Sequence, residues 1–119
     1  CMSGAFVTAV AGSLPDRFAA NVSLYGVYIV TENDDSPHLL APQIEGEMYY
    51  AFAEHDRWVP MELIDTLRAK LDEHGVTHET EVFPTTEHGF AFPEREVYHE
   101  PSAEIVWDKM FKLYARVLG

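Results

Sequence analysis

Three side chains suited to acyl transfer are spread along this sequence: a thiol at Cys1, a carboxylate at Asp56 and an imidazole at His88. Cys1 is the only cysteine and opens "CMSGAF", Asp56 closes "AFAEHD", and His88 stands in "PTTEHGFAFPER" between Glu87 and Gly89. A thiol is a weak nucleophile until it loses its proton. An imidazole within hydrogen-bond reach, held by a carboxylate on its other nitrogen, supplies that activation.

Residues so far apart need a scaffold that gathers them. From Gly4 to Leu14 the small and apolar residues form a helix-compatible run, ended by Gly12, Ser13 and Pro15. The segment "FAANVSLYG" reads as a core strand that stops at Gly26. "TENDDSPHLLAPQIEGE" is a long polar connection with at most one helical turn around His38 to Ala41. Met48 to Ala53 is a nearly unbroken apolar strand, as expected when both faces are covered. "PMELIDTLRAKLDEHG" has Pro60 at a first helical position, an apolar stripe of Leu63, Ile64, Leu67 and Leu71, and Gly75 as a left-handed stop. "THETEVFP" is a more polar strand suited to a sheet margin, and "PSAEIVWDKMFKLYARVL" is an amphipathic helix from Pro101.

The order after Cys1 is read as helix, strand, helix, strand, helix, which predicts an α/β domain with a mostly parallel sheet and right-handed crossovers. In such sheets ligands collect at the carboxyl ends of the strands, and each of the three reactive residues falls at a strand-to-helix transition. The order Cys, Asp, His is that of an α/β-hydrolase triad with cysteine as nucleophile. A helix directly after Cys1 would favour the thiolate, and the Met2 amide would face an oxyanion. Three strands make a thin sheet, so a further N-terminal half or a second chain is expected to complete it.

The stretches "CMSGAF", "SPHLLAPQIEGEMYYAFAEHDRWVP" and "TEVFPTTEHGFAFPEREVYHEPSAEIVW" resemble the dienelactone hydrolase family, over nearly all of the chain but only the family's second half. The resemblance implies the C-terminal portion of a three-layer α/β-hydrolase fold, with Cys1 as nucleophile in a G-x-C-x-G elbow, Asp56 and His88 completing the triad, and no cofactor. Ser3 stands where the elbow pattern has its second glycine. Relatives that open dienelactone carry an arginine four positions past the triad histidine, where this chain has Phe92. Arg95, three residues further on, could swing in to that place, but its position between Glu94 and Glu96 reads as a solvated pair, so a less polar ester or lactone is the expected substrate.

Other readings of the same residues compete. His88 alone would pass for a loop histidine, and Asp56 for an acid stabilising the following helix through its dipole. Cys1 would suit a lipidated N-terminus or an N-terminal nucleophile using its own amine, although the latter predicts a strand-rich chain. The spacings of His55, His74, His78 and His99 match no zinc pattern, so no metal is expected. Trp58, Phe90 and Phe92 flank the acid and base and are read as an apolar acyl pocket, with core packing as the alternative.

Composition bounds the partners. In 119 residues, 47% hydrophobic side chains suffice for one globular domain or part of one, and the formal net charge of −12 repels nucleic-acid phosphates and anionic membranes. No apolar run approaches the roughly 20 residues that span a bilayer. A lone cysteine excludes an internal disulfide and is compatible with a reducing, cytoplasmic setting. The expectation is therefore a cytoplasmic hydrolase of a small ester or lactone. The alternative is a fragment that keeps the scaffold and binds without turnover.

Overall fold

Where apolar residues run without a break, the chain builds a strand covered on both faces. The computed structural model describes every residue from Cys1 to Gly119. Helix α1 spans Gly4–Ser13, strand β1 Ala20–Leu24, a 3-10 segment Pro37–Gln43, strand β2 Glu47–His55, helix α2 Met61–Glu73, strand β3 His78–Glu87 and helix α3 Glu100–Leu118. The expected alternation is thus broken once. β1 and β2 follow each other with only the 3-10 segment between them, where Pro42, inside the segment, prevents a longer run of α-helical hydrogen bonds.

The sheet is parallel, in the order β1-β2-β3. Ala20 pairs with Glu47 and Leu24 with Ala51 on one side of β2, while Met48 pairs with His78 and Ala53 with Phe83 on the other. Central β2 buries Met48 through Ala53, and its period of two divides the core. Met48, Tyr50 and Phe52 pack with Ile64, Leu67 and Leu71 of α2 and with Ala11 of α1. Tyr49, Ala51 and Ala53 pack with Phe83, Phe90, Val106 and Leu113 beneath α3. Helices on both sides of the sheet make three layers. Each fully buried large apolar side chain contributes about 1.5–3 kcal/mol, so these two clusters dominate the stability.

The polar strand lies at the sheet margin as expected, but it runs three residues beyond "THETEVFP" to Glu87. An irregularity between Ala53 and His55 absorbs the extra length of β3, and Thr85 takes a left-handed φ of 62°. Glu54 fastens this end: its carboxylate accepts from the Thr85 amide at 2.7 Å and its own amide donates to Thr86 Oγ1 at 3.4 Å. Gly75 ends α2 at φ 66°, as its position predicts. α3 is tied to the sheet by Lys109 on Glu81 at 2.8 Å and by Arg116 on both carboxylate oxygens of Glu47 at 2.5 and 3.0 Å. No helix is long and apolar enough to cross a membrane.

Candidate active site

Because all three strands are parallel, their carboxyl ends share one rim, and Tyr25, Asp56 and the approach to His88 all begin there. Asp56 lies one residue beyond β2, its side chain only 1% exposed. Its Oδ1 accepts the Trp58 amide at 3.0 Å, and its Oδ2 lies 2.6 Å from His88 Nδ1. It does not cap α2, whose N-cap is Pro60, so the dipole reading gives way to the pairing with His88. The carboxylate can only accept, which makes Nδ1 the donor and leaves Nε2 of a neutral ring as a base.

His88 is held from both sides. The Tyr25 and Trp58 rings each lie 5.1 Å from the imidazole, tilted 58°. Tyr25, directly after β1, adopts a φ of 40°, a region that costs a non-glycine residue energy and that recurs at functional sites. Burial raises the pKa of its hydroxyl. Gly89 follows His88 at φ 95°, a conformation suited to glycine.

A cavity of about 310 Å³ opens over His88, lined also by Cys1, Met2, Val27, Tyr28, Trp58 and Arg95. Cys1 and His88 therefore border one space. The Cys1 carbonyl accepts from Gly4 N at 3.2 Å and from Val27 N at 2.9 Å, which anchors the turn to the loop after β1. The Met2 amide has no acceptor within the chain and precedes the first turn of α1, where backbone N–H groups carry partial positive charge. Ser3 sits at φ −75°, open to any residue, which explains how serine replaces glycine there. The need for a missing side chain falls instead on Gly4, where a Cβ would lie 2.4 Å from Gly26 Cα.

Two of the expected pocket residues lie elsewhere. Phe90 is 0% exposed and packs against Tyr25 and Phe83, so it belongs to the core. Phe92 is 45% exposed and rests edge-on against Trp107 at 6.2 Å, away from the cavity. Only Trp58 of the three lines it. Arg95 is exposed, as expected of a solvated residue, but it pairs with neither Glu94 nor Glu96 and folds over Gly89, where a Cβ would lie 2.7 Å from its Nε. Tyr25, Val27 and Tyr28 were not singled out by motif; a strand ending in Tyr-Gly was the available signal.

The other histidines serve local structure. His99 accepts the Ser102 amide and caps α3, His78 Nε2 lies 2.7 Å from Asp72, His74 ends α2 and His55 pairs with Glu54. No three metal-ligating side chains converge.

Known proteins are similar to this chain. A carboxymethylenebutenolidase homolog from Mus musculus is 35% identical over 97 residues, covering 81% of this chain and 36% of the mouse protein. A homolog of the same name from Xenopus tropicalis is 36% identical over 78 residues, or 65% of this chain and 29% of that protein. This chain thus spans well under half the length of these relatives. A dienelactone hydrolase-like promiscuous phosphotriesterase from metagenomic libraries superposes with a TM-score of 0.74 over 91% of this chain and 46% of its own, at 16% identity. A carboxylesterase from Lactobacillus plantarum gives 0.72 over 97% and 56%, at 15% identity. These likenesses establish the α/β-hydrolase fold. The family model of the dienelactone hydrolase family matches residues 1–118, and this chain belongs to that family.

Proposed function

We propose that this protein hydrolyses small esters or lactones through a Cys1–His88–Asp56 triad and an acyl-enzyme intermediate. The observation that carries the reading is the 2.6 Å bond from His88 Nδ1 to a buried Asp56 oxygen, with the opposite edge of the ring turned to a cavity that Cys1 also lines.

In this mechanism Cys1 Sγ loses its proton to His88 Nε2 and bonds to the substrate carbonyl carbon. Asp56 holds the tautomer and stabilises the imidazolium. The carbonyl oxygen takes the negative charge opposite the Met2 amide. As the C–O bond breaks, His88 returns its proton to the leaving oxygen, and a thioester remains on Cys1. Water then gives a proton to His88 and attacks the thioester carbon. Collapse expels the Cys1 sulfur, which recovers the proton, and releases the acid. No step calls for a cofactor.

The test is p-nitrophenyl acetate hydrolysis by the full-length gene product and by its Cys1→Ala and His88→Ala variants. Loss of at least about a hundredfold in each supports the triad, given the usual worth of acid–base catalysis. Unchanged rates in both folded variants refute the triad, and no hydrolysis above background by the native protein leaves a domain that binds without turnover.

A further inference from the structure

A second cavity, of about 230 Å³, lies beside the first and has no role in the chemistry described above. Nine of its 11 lining residues are hydrophobic. Phe52 of β2 and Leu63, Ile64 and Leu67 of α2 form its inner wall, and Tyr28 and Trp58 belong to both cavities. That aromatic pair therefore borders both spaces. Tyr28 is held in a left-handed conformation at φ 59°, strain of the kind that persists where surrounding structure fixes a functional position. Trp58 lies between the Arg57 guanidinium, 4.3 Å from its ring centre, and His88. Apolar cavities of roughly 150 Å³ stay dry and take up benzene, so this one has room for a short alkyl chain or a single ring.

We infer that this cavity binds the hydrocarbon arm of the substrate's alcohol, making the enzyme selective for esters of apolar alcohols. The inference rests on the hydrolase reading above and names its substrate class. The side follows from proton transfer. His88 must reach the leaving oxygen, so the leaving group departs along the imidazole, and Trp58, which flanks the imidazole, is a wall common to both cavities. Leu63 faces the cavity from a half-buried position on α2, where a larger side chain fills it without entering the core.

Ethyl, butyl and hexyl acetates test this with the full-length protein, since all three form the same acetyl-enzyme and differ only in the leaving arm. kcat/KM is expected to rise roughly fourfold per methylene until the cavity is full, which is the transfer free energy of one buried CH2 at tenfold per 1.36 kcal/mol. Leu63→Trp is expected to cut the butyl-to-ethyl ratio at least fivefold, and Leu63→Ala to move the optimum towards hexyl. A flat series in active wild-type protein, or a ratio indifferent to both variants, overturns the inference. If no ester is hydrolysed, ligand-observed NMR of 1-hexanol with the Cys1→Ala protein decides separately. Binding that Leu63→Trp abolishes supports the cavity while the hydrolase reading falls, and no binding removes both.

Discussion

Gly4 and Gly26 meet backbone to backbone: a Cβ on Gly26 would lie 2.8 Å from Gly4 Cα and 2.3 Å from Ser23 Oγ. This contact lets the turn carrying Cys1 sit flush on the loop after β1, where Val27 N holds the Cys1 carbonyl. Gly26→Ala is therefore expected to cost about 1–3 kcal/mol by overpacking. It should also lower ester hydrolysis in the folded fraction, because the thiol moves with the turn. Denaturant titration and kcat/KM on the same sample check both.

Asp56→Asn keeps the shape of the acid but presents an amide to His88. An amide NH2 favours the tautomer with its hydrogen on Nε2, the wrong nitrogen for taking the thiol proton. The expected loss in kcat is of the order of 10⁴, as for the equivalent change in serine triads, with KM little altered. Steady-state kinetics on p-nitrophenyl acetate measures it. A loss confined to KM would assign Asp56 to binding instead.

Gly89→Ala strains the residue next to His88 twice, through its φ of 95° and through the Arg95 side chain, whose Cζ would lie 2.9 Å from the new Cβ. kcat is expected to fall. Adding Arg95→Ala removes the collision but not the strained backbone, so the double variant should recover only part of the loss.

Stability should also depend on pH through His38. Burial, with Lys70 nearby, lowers its pKa from 6.5, and Ser36 Oγ lies 2.7 Å from its Nδ1. A folded chain that binds the proton less readily than the unfolded chain loses stability as pH falls below 6.5, while the contribution is complete above it. Urea midpoints on either side of that value should fall towards acid, and His38→Gln should flatten the slope. Ser36→Ala removes the oxygen that accepts the Thr31 amide at 2.8 Å and should cost about 1–3 kcal/mol.

Much of this architecture was legible because the burial pattern is written in side-chain periodicity. The Leu63, Ile64, Leu67 and Leu71 stripe gave α2, and the unbroken Met48 to Ala53 run gave the central strand. The candidate site was legible as residue types at strand ends, and the pairing of Asp56 with His88 follows from the β2–β3 register. What failed depended on side-chain direction in irregular backbone. After Gly89 no period says which way a residue points, so Phe90 could not be told from a pocket residue, nor Arg95 beside the cavity from one paired with its glutamate neighbours. The second cavity was equally hidden, since its walls come from the loop after β1, from β2 and from α2, segments that only the fold brings together.

The most direct test of the central claim is to quench full-length protein during p-nitrophenyl acetate turnover and map the acetyl group by mass spectrometry. The account predicts a thioester on Cys1 that forms quickly in the native protein and far more slowly in His88→Ala. Undiminished hydrolysis with no acetyl group on Cys1 at any time would contradict it.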